Sequence, residues 1–192
     1  SNVKQGTHEV VAAPHELEHA FKQEGDEVRF KESIVYYDCN WSNYYPSDNY
    51  PFMYKCRSAN SSIIKYRYAD VLLLKAEALI MQDTPDLEGA ADIIDEVRDR
   101  AKLGALPTSV RSNKNAMLNA LLKERRLELA FEGQRWFDLV RLDKVEEVMN
   151  AVYSKDSGRK AQIYTFDKNS YRLPIPQSVI DANDKIHQNP GY

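Results

Sequence analysis

Five consecutive residues carry the sharpest catalytic spacing in the chain. His15-Glu16-Leu17-Glu18-His19 fits H-E-x-x-H. On a helix this sets two imidazoles one turn apart, able to hold zinc, with the first Glu as general base. The surroundings argue against that chemistry. Pro14 puts the motif at a helix start, and Glu18 adds a charge where a packed metalloprotease helix needs an apolar residue. Lys22 and Gly25 stand where the extended H-E-x-x-H-x-x-G-x-x-H form has its Gly and third His. The other histidines, His8 and His187, sit near the chain ends. The reading is a solvated acidic helix face, with no metal site, no cofactor and no catalytic residues.

A second constellation points to binding. Trp41, Tyr44, Tyr45, Tyr50 and Tyr54 lie among Asn40, Asn43, Asp48 and Asn49 in an irregular stretch, 38–62. A long loop so rich in aromatics is more than a connector. Aromatic faces stack on the C–H faces of sugar rings while amides pair with hydroxyls. The same wet-ended rings also serve protein interfaces, or pack as a satellite core beneath a loop. The candidate glycan contacts are Trp41, Asn43, Tyr44, Tyr45 and Tyr50. Cys39 and Cys56 flank the loop. A disulfide between them would stabilise by about 3 kcal/mol in the chain-entropy model. Two free thiols are the alternative, because two cysteines fix no connectivity.

A third group is charge on apolar stripes. Arg125 lies one turn from Leu121 and Leu129, and Glu77 follows Leu73 by one turn. A buried charge must be paired. Glu128 is within reach of Arg125 by sequence, as are Glu132 and Asp138. No nucleophile, metal set or carboxylate pair accompanies them. Nor is there a phosphate-binding Gly loop, a G-x-S-x-G elbow or a kinase signature. Glu77, Arg125 and Glu128 are therefore read as a structural ion network, and the chain as a non-enzyme.

Helices must position these groups. Residues 14–24 predict a short helix with Pro14 in its first turn, and 28–37 carry a weak extended signal. In 68–81, Ala69, Leu72, Leu73, Ala76 and Ile80 form one stripe. Thr84 is the expected N-cap of the next helix, with Pro85 at N1 and Gly104 at its C′ position. That helix has its stripe at Leu87, Ala90, Ala91, Ile94, Val97 and Ala101, and with 68–81 it forms an antiparallel hairpin. A third helix is expected over 113–131, capped by Ser112 and closed by Gly133. A fourth segment, 134–142, buries Trp136, Phe137 and Val140, and 143–152 is amphipathic. Residues 153–170 read as a polar excursion. The tail, 171–192, holds Pro174, Pro176 and Pro190 and is expected to lie extended. The hairpin has the length of one tetratricopeptide unit, without a second copy at that period.

Composition bounds the rest. The chain has 192 residues, a net charge of −3 and only 7 Gly, as a mostly helical chain would. It has no basic block, so nothing draws it to nucleic acid. No apolar run approaches the roughly 20 residues of a membrane span. Ser1-Asn2 reads as a scar of tag removal, residues 1–9 as disordered, and the whole as a piece of something longer.

The motifs then become recognisable. Tyr66-Arg-Tyr-Ala-Asp-Val-Leu-Leu-Leu-Lys-Ala-Glu-Ala78 resembles the R-Y-A-D-x-L-L-x-x-A-E-A stretch of the SusD/RagB family. Val97-Arg-Asp-Arg-Ala101 is similar to its V-R-x-R-A. Residues 124–141 resemble its E-R-R-x-E-L-A-F-E-G-x-R-W-F-D-L-x-R signature. Leu173-Pro-Ile-Pro176 and Gln188-Asn-Pro-Gly-Tyr192 resemble its closing L-P-I-P and Q-N-P-G-Y. Pro14, Glu16, Leu17, Ala20 and Phe21 fit the P-x-x-E-L-x-x-A-F lead-in, which accounts for the H-E-x-x-H.

The resemblance implies a mainly all-α fold. It would be an alpha-alpha superhelix of tetratricopeptide-like hairpins with long irregular loops and minor β structure. Residues 1–192 would be the C-terminal portion: aromatic loop 38–62, helical body 66–152, closing tail 171–192. It further implies non-catalytic binding of a glycan or other nutrient at the outer-membrane surface, beside a SusC-like TonB-dependent transporter. The membrane would be reached only through an N-terminal lipid anchor absent from this sequence. The alternative is a helical scaffold that contacts the transporter without binding ligand itself.

Overall fold

The structure is a computed structural model of the chain and describes residues 15–39, 48–55, 64–155 and 166–192. Two compact units divide at Arg135/Trp136.

The first unit opens with α1 (His15–Glu24) and α2 (Glu27–Ser33). Gly25 ends α1 with φ +69°. Its N–H donates to the Lys22 carbonyl and the Asp26 N–H to that of Phe21, the two bonds of a Schellman motif. Asp26 then caps α2 by accepting the Arg29 N–H at 3.1 Å. That cap explains why residues 27–33 are helical, where the apolar alternation of 28–37 predicts an extended segment. Only Ile34–Tyr37 form a strand, β1, paired antiparallel with β2 (Tyr50–Met53) in the register Ile34↔Met53 to Tyr37↔Tyr50. The stretch read as a loop over 38–62 thus contains a strand.

Next come α3 (Tyr68–Met81) and α4 (Leu87–Arg100), then α5 (Thr108–Arg111) and α6 (Lys114–Glu128). The stripes of α3 and α4 meet as expected. Leu73, Ala76 and Ile80 pack with Ala90, Ala91, Ile94 and Val97, and α6 adds Met117 and Leu121. A second core joins Leu17, Ala20 and Phe21 of α1 to Ile34, Leu127 and Ala130. Helix α6 therefore serves two cores, and its residues 124, 125 and 128 fall between and beside them.

The helix ends differ from the sequence reading. Helix α4 starts after Asp86, not at Thr84-Pro85, because the Asp86 carboxylate accepts the Gly89 N–H at 2.9 Å. It closes on Lys102 at φ +61°, not on Gly104. The Lys102 and Leu103 N–H groups bond the Asp99 and Arg98 carbonyls, again a Schellman pair. Helix α6 is capped by Asn113, which accepts the Ala116 N–H at 2.9 Å. Ser112 instead ends α5. Helix α6 stops at Glu128, short of 131, and a turn with Phe131 and Gly133 at positive φ follows.

The second unit takes up α7 (Arg135–Arg141) and contains α8 (Val145–Lys155), a 3-10 turn at Lys168–Tyr171 and α9 (Gln177–Asp181). The tail is therefore not wholly extended. Pro176, with φ −55°, is the N-cap of α9. Side-chain amides stand in for backbone partners here. Gln188 accepts the Ile175 N–H at 2.8 Å and donates to its carbonyl at 2.9 Å. Asn150 does the same for Phe166, at 3.0 Å in both directions. Among the described residues, no helix is long and apolar enough to cross a membrane.

Candidate functional site

Of the predicted glycan contacts, Tyr50 alone is described; Trp41, Asn43, Tyr44 and Tyr45 lie outside the described residues, as does Cys56. Tyr50 sits half-buried on β2, directly opposite Tyr37. Its ring centroid lies 5.5 Å from Phe52 with the planes at 60°, and Tyr37 is 6.2 Å from Phe52. Tilted pairs at such distances are favourable beyond the area they bury. The N–H of Asn49, at φ +50°, donates to Asp38 Oδ1 at 2.8 Å. The stretch from 38 to 49 thus leaves and rejoins the protein through a paired hairpin stem. Cys39 at its edge is a fully buried free thiol whose Sγ lies 3.7 Å from the Tyr37 carbonyl. Burial, with Asp38 nearby, pushes that thiol's pKa up.

A dense ionic layer lies at the C-terminal end of α6. Glu128 is the hub. Its Oε2 accepts Arg29 Nη1 at 3.0 Å and its Oε1 accepts Arg67 Nη1 at 2.6 Å, with Arg100 joining the same oxygen. Its backbone carbonyl accepts Lys55 Nζ at 2.7 Å. Glu124 accepts Arg29 Nη1 at 2.6 Å. Glu132 receives Arg67 Nε at 2.8 Å and pairs with Lys55 at 2.5 Å. Arg125, 1% exposed, lies 2.9 Å from Asp70. That partner comes from α3, which sequence reach did not propose. Glu77 is buried as well, and it too is partnered.

Burial and pairing compete within the layer. Burial alone would raise the Glu128 carboxyl, but hydrogen bonds from Arg67 and Arg29 outweigh it and hold its pKa low. At Glu124 burial wins over Arg29, and the pKa is raised. Burial likewise lowers the Lys55 ammonium against the pull of Glu132.

The layer was not foreseen as a whole, though its members were in plain view. Arg67 and Asp70 belong to the first resemblance motif, Arg100 and Arg98 (3.4 Å from Glu124 Oε2) to the second, and Glu124, Arg125, Glu128 and Glu132 to the third. Three separated motifs converge on one ionic layer. Spacing along the chain cannot show this, because the pairings join segments far apart in sequence.

The H-E-x-x-H stretch is consumed by structure. Leu17 is buried in the α1 core, and Glu18 accepts the Tyr36 hydroxyl and pairs with Lys22, each at 2.5 Å. His19 is exposed. Among the described residues, no group of three or more His, Cys, Asp or Glu is arranged to hold a metal.

The SusD family model matches residues 53–192. The chain belongs to the SusD family. It is 42% identical over 99 residues to SusD-like protein P38 of Formosa agariphila, covering 48% of this chain and 19% of that protein. To SusD-like protein P2 of the same organism it is 35% identical over 143 residues, covering 71% and 27%. Among solved structures, a laminarin binding SusD-like protein superposes with a TM-score of 0.61 at 27% identity, over 94% of this chain and 38% of that one. A SusD homolog from Bacteroides thetaiotaomicron gives 0.72 at 25% identity, over 93% and 43%. The mostly helical architecture is that of these SusD-like proteins. The chain spans less than half the length of each.

Proposed function

We propose that this chain is the part of a SusD-like protein that captures glycan at the outer-membrane surface, in partnership with a SusC-like TonB-dependent transporter. Family membership over residues 53–192, together with the laminarin-binding relative, carries this reading. The ligand contacts would be Trp41, Asn43, Tyr44, Tyr45 and Tyr50. They stack and hydrogen-bond a saccharide and do no chemistry on it, so the protein is a binder and not an enzyme. Anchorage would come from a lipid on a preceding segment. Support from the fold is the stem: paired strands and the Asp38–Asn49 bond give an aromatic loop a fixed base.

The test is calorimetric titration with a panel of oligosaccharides, laminarin fragments included. Trp41→Ala and Tyr45→Ala should each weaken binding by about two- to tenfold, since stacking on one aromatic face contributes about 0.5–1.5 kcal/mol. Unchanged binding in both would remove the loop from the site.

A second reading has an observation of its own. Helix α3 exposes Tyr68 (72%), Val71 and Met81, with Tyr66 (79%) just before it. Large apolar side chains exposed in this number on one helix favour protein contact. On that reading free glycans would not bind, and pull-down with the cognate transporter would succeed.

A further inference from the structure

The second unit holds a cleft of about 250 Å³ lined by Lys168, Asn169, Tyr171, Arg172, Asn189 and Pro190. Its walls are fixed before any ligand arrives. The Tyr171 hydroxyl donates to Asp143 Oδ1 at 2.8 Å. Asn169 is tied to Asp167 through its backbone N–H at 2.9 Å. Asn189 Nδ2 donates to the Leu173 carbonyl at 2.7 Å. At φ +94°, Gly191 backs onto Asn169 so closely that an added Cβ would lie 2.6 Å from the Asn169 Cβ. The 3-10 turn and the chain end are thereby packed together.

Its charges are unevenly used. Lys168 Nζ lies 3.6 Å from Asp143, a carboxylate already engaged by Tyr171. Arg172 is exposed and has no carboxylate partner among the described residues. Among the described residues, one guanidinium at the cleft thus has no counter-ion. A guanidinium presents paired donors that match a planar or trigonal oxyanion bidentately. The apolar surfaces of Tyr171 and Pro190 offer a face for a ring, and Asn189 Oδ1 is an acceptor for a hydroxyl. At about 250 Å³ the space is just below the usual 300–1,000 Å³ of a small-molecule pocket, room for one ring and not for a chain of them.

We infer that this cleft is a second saccharide subsite, taking one sugar residue that bears an oxyanion, with Arg172 as its charge contact and the Tyr171 and Pro190 surfaces as its ring support. The inference extends the glycan-binding reading but uses none of the loop residues. A carboxylate of a uronic acid and a sulfate ester present the same chemistry to Arg172.

The experiment is a titration of the full chain with oligogalacturonate, with a sulfated galactan oligosaccharide and with neutral laminarin oligosaccharide, followed by calorimetry and by amide NMR. At least one anionic probe should bind and shift the amides of 168–172 and 189–190. Its affinity should fall about tenfold in Arg172→Ala and be partly restored in Arg172→Lys, and it should weaken with added salt. Binding of the neutral probe should not respond to Arg172→Ala. Whichever anion binds more tightly identifies the source. Equal binding of the anionic probes by wild type and Arg172→Ala, or none by wild type, would overturn the subsite. Failure of the neutral probe alone would count against the loop reading and leave this one standing. Arg172 is exposed, so its replacement should leave the fold intact.

Discussion

The neighbourhood of α6 and the segment 166–192 both hold irregular chain in a defined path, by different chemistry. Around α6, buried carboxylates beside two apolar cores bind cations from segments far apart in sequence: Arg29, Lys55, Arg67 and Arg100 all meet at Glu128. In 166–192 most side chains are exposed, and the path is set by neutral amides, Gln188 on Ile175 and Asn189 on Leu173. Buried ions are costly to leave unpaired and so enforce one arrangement. Exposed amide clamps are individually modest and leave neighbouring surface open to a ligand.

The largest effect should follow from breaking the hub. Glu128→Ala strands several guanidiniums and should cost about 3–5 kcal/mol, read as a lowered denaturant midpoint. An effect under 1 kcal/mol would mean that the layer is decoration. Acid sharpens the same point. The stabilisation from Glu128, whose folded pKa is lowered, is present above the unfolded carboxylate pKa and is lost as pH falls through the folded one. Glu124, with its pKa raised, works the other way: its penalty is relieved as pH falls through its folded pKa. Between about pH 6 and pH 3, Glu128→Gln should therefore show a shallower acid loss than wild type, and Glu124→Gln a steeper one.

Gln188→Ala should cost less, about 1–3 kcal/mol for three lost bonds, to Ile175 in both directions and from the Asn189 N–H, and only locally. Hydrogen exchange should speed at Ile175 and leave α6 unchanged. Smaller still, Lys102→Gly should stabilise by about 0.5–1 kcal/mol, because Lys102 holds a left-handed conformation that glycine adopts freely. A lowered melting temperature in that variant would refute the cap assignment.

The helical body was legible because apolar residues recur at 3.6-residue spacing in α3, α4 and α6. Caps were harder. Thr84, Pro85 and Asp86 are all good starters in a row, and only side-chain reach selects Asp86. Strand β2 was hidden because its four residues include Pro51 and stand among turn formers. The pairing of Arg125 with Asp70 crosses helices, so no local spacing announces it. The proposed glycan contacts are legible only as composition, a crowd of aromatics and amides. Of these contacts the structure describes Tyr50, on the hairpin stem.

The most direct test of glycan capture on this stem is an amide NMR titration of the chain with laminarin oligosaccharide. Saturable shifts at Tyr37, Asn49 and Tyr50, with Glu124 and Glu128 unmoved, are expected. Shifts absent throughout, or confined to the α6 layer, would contradict it.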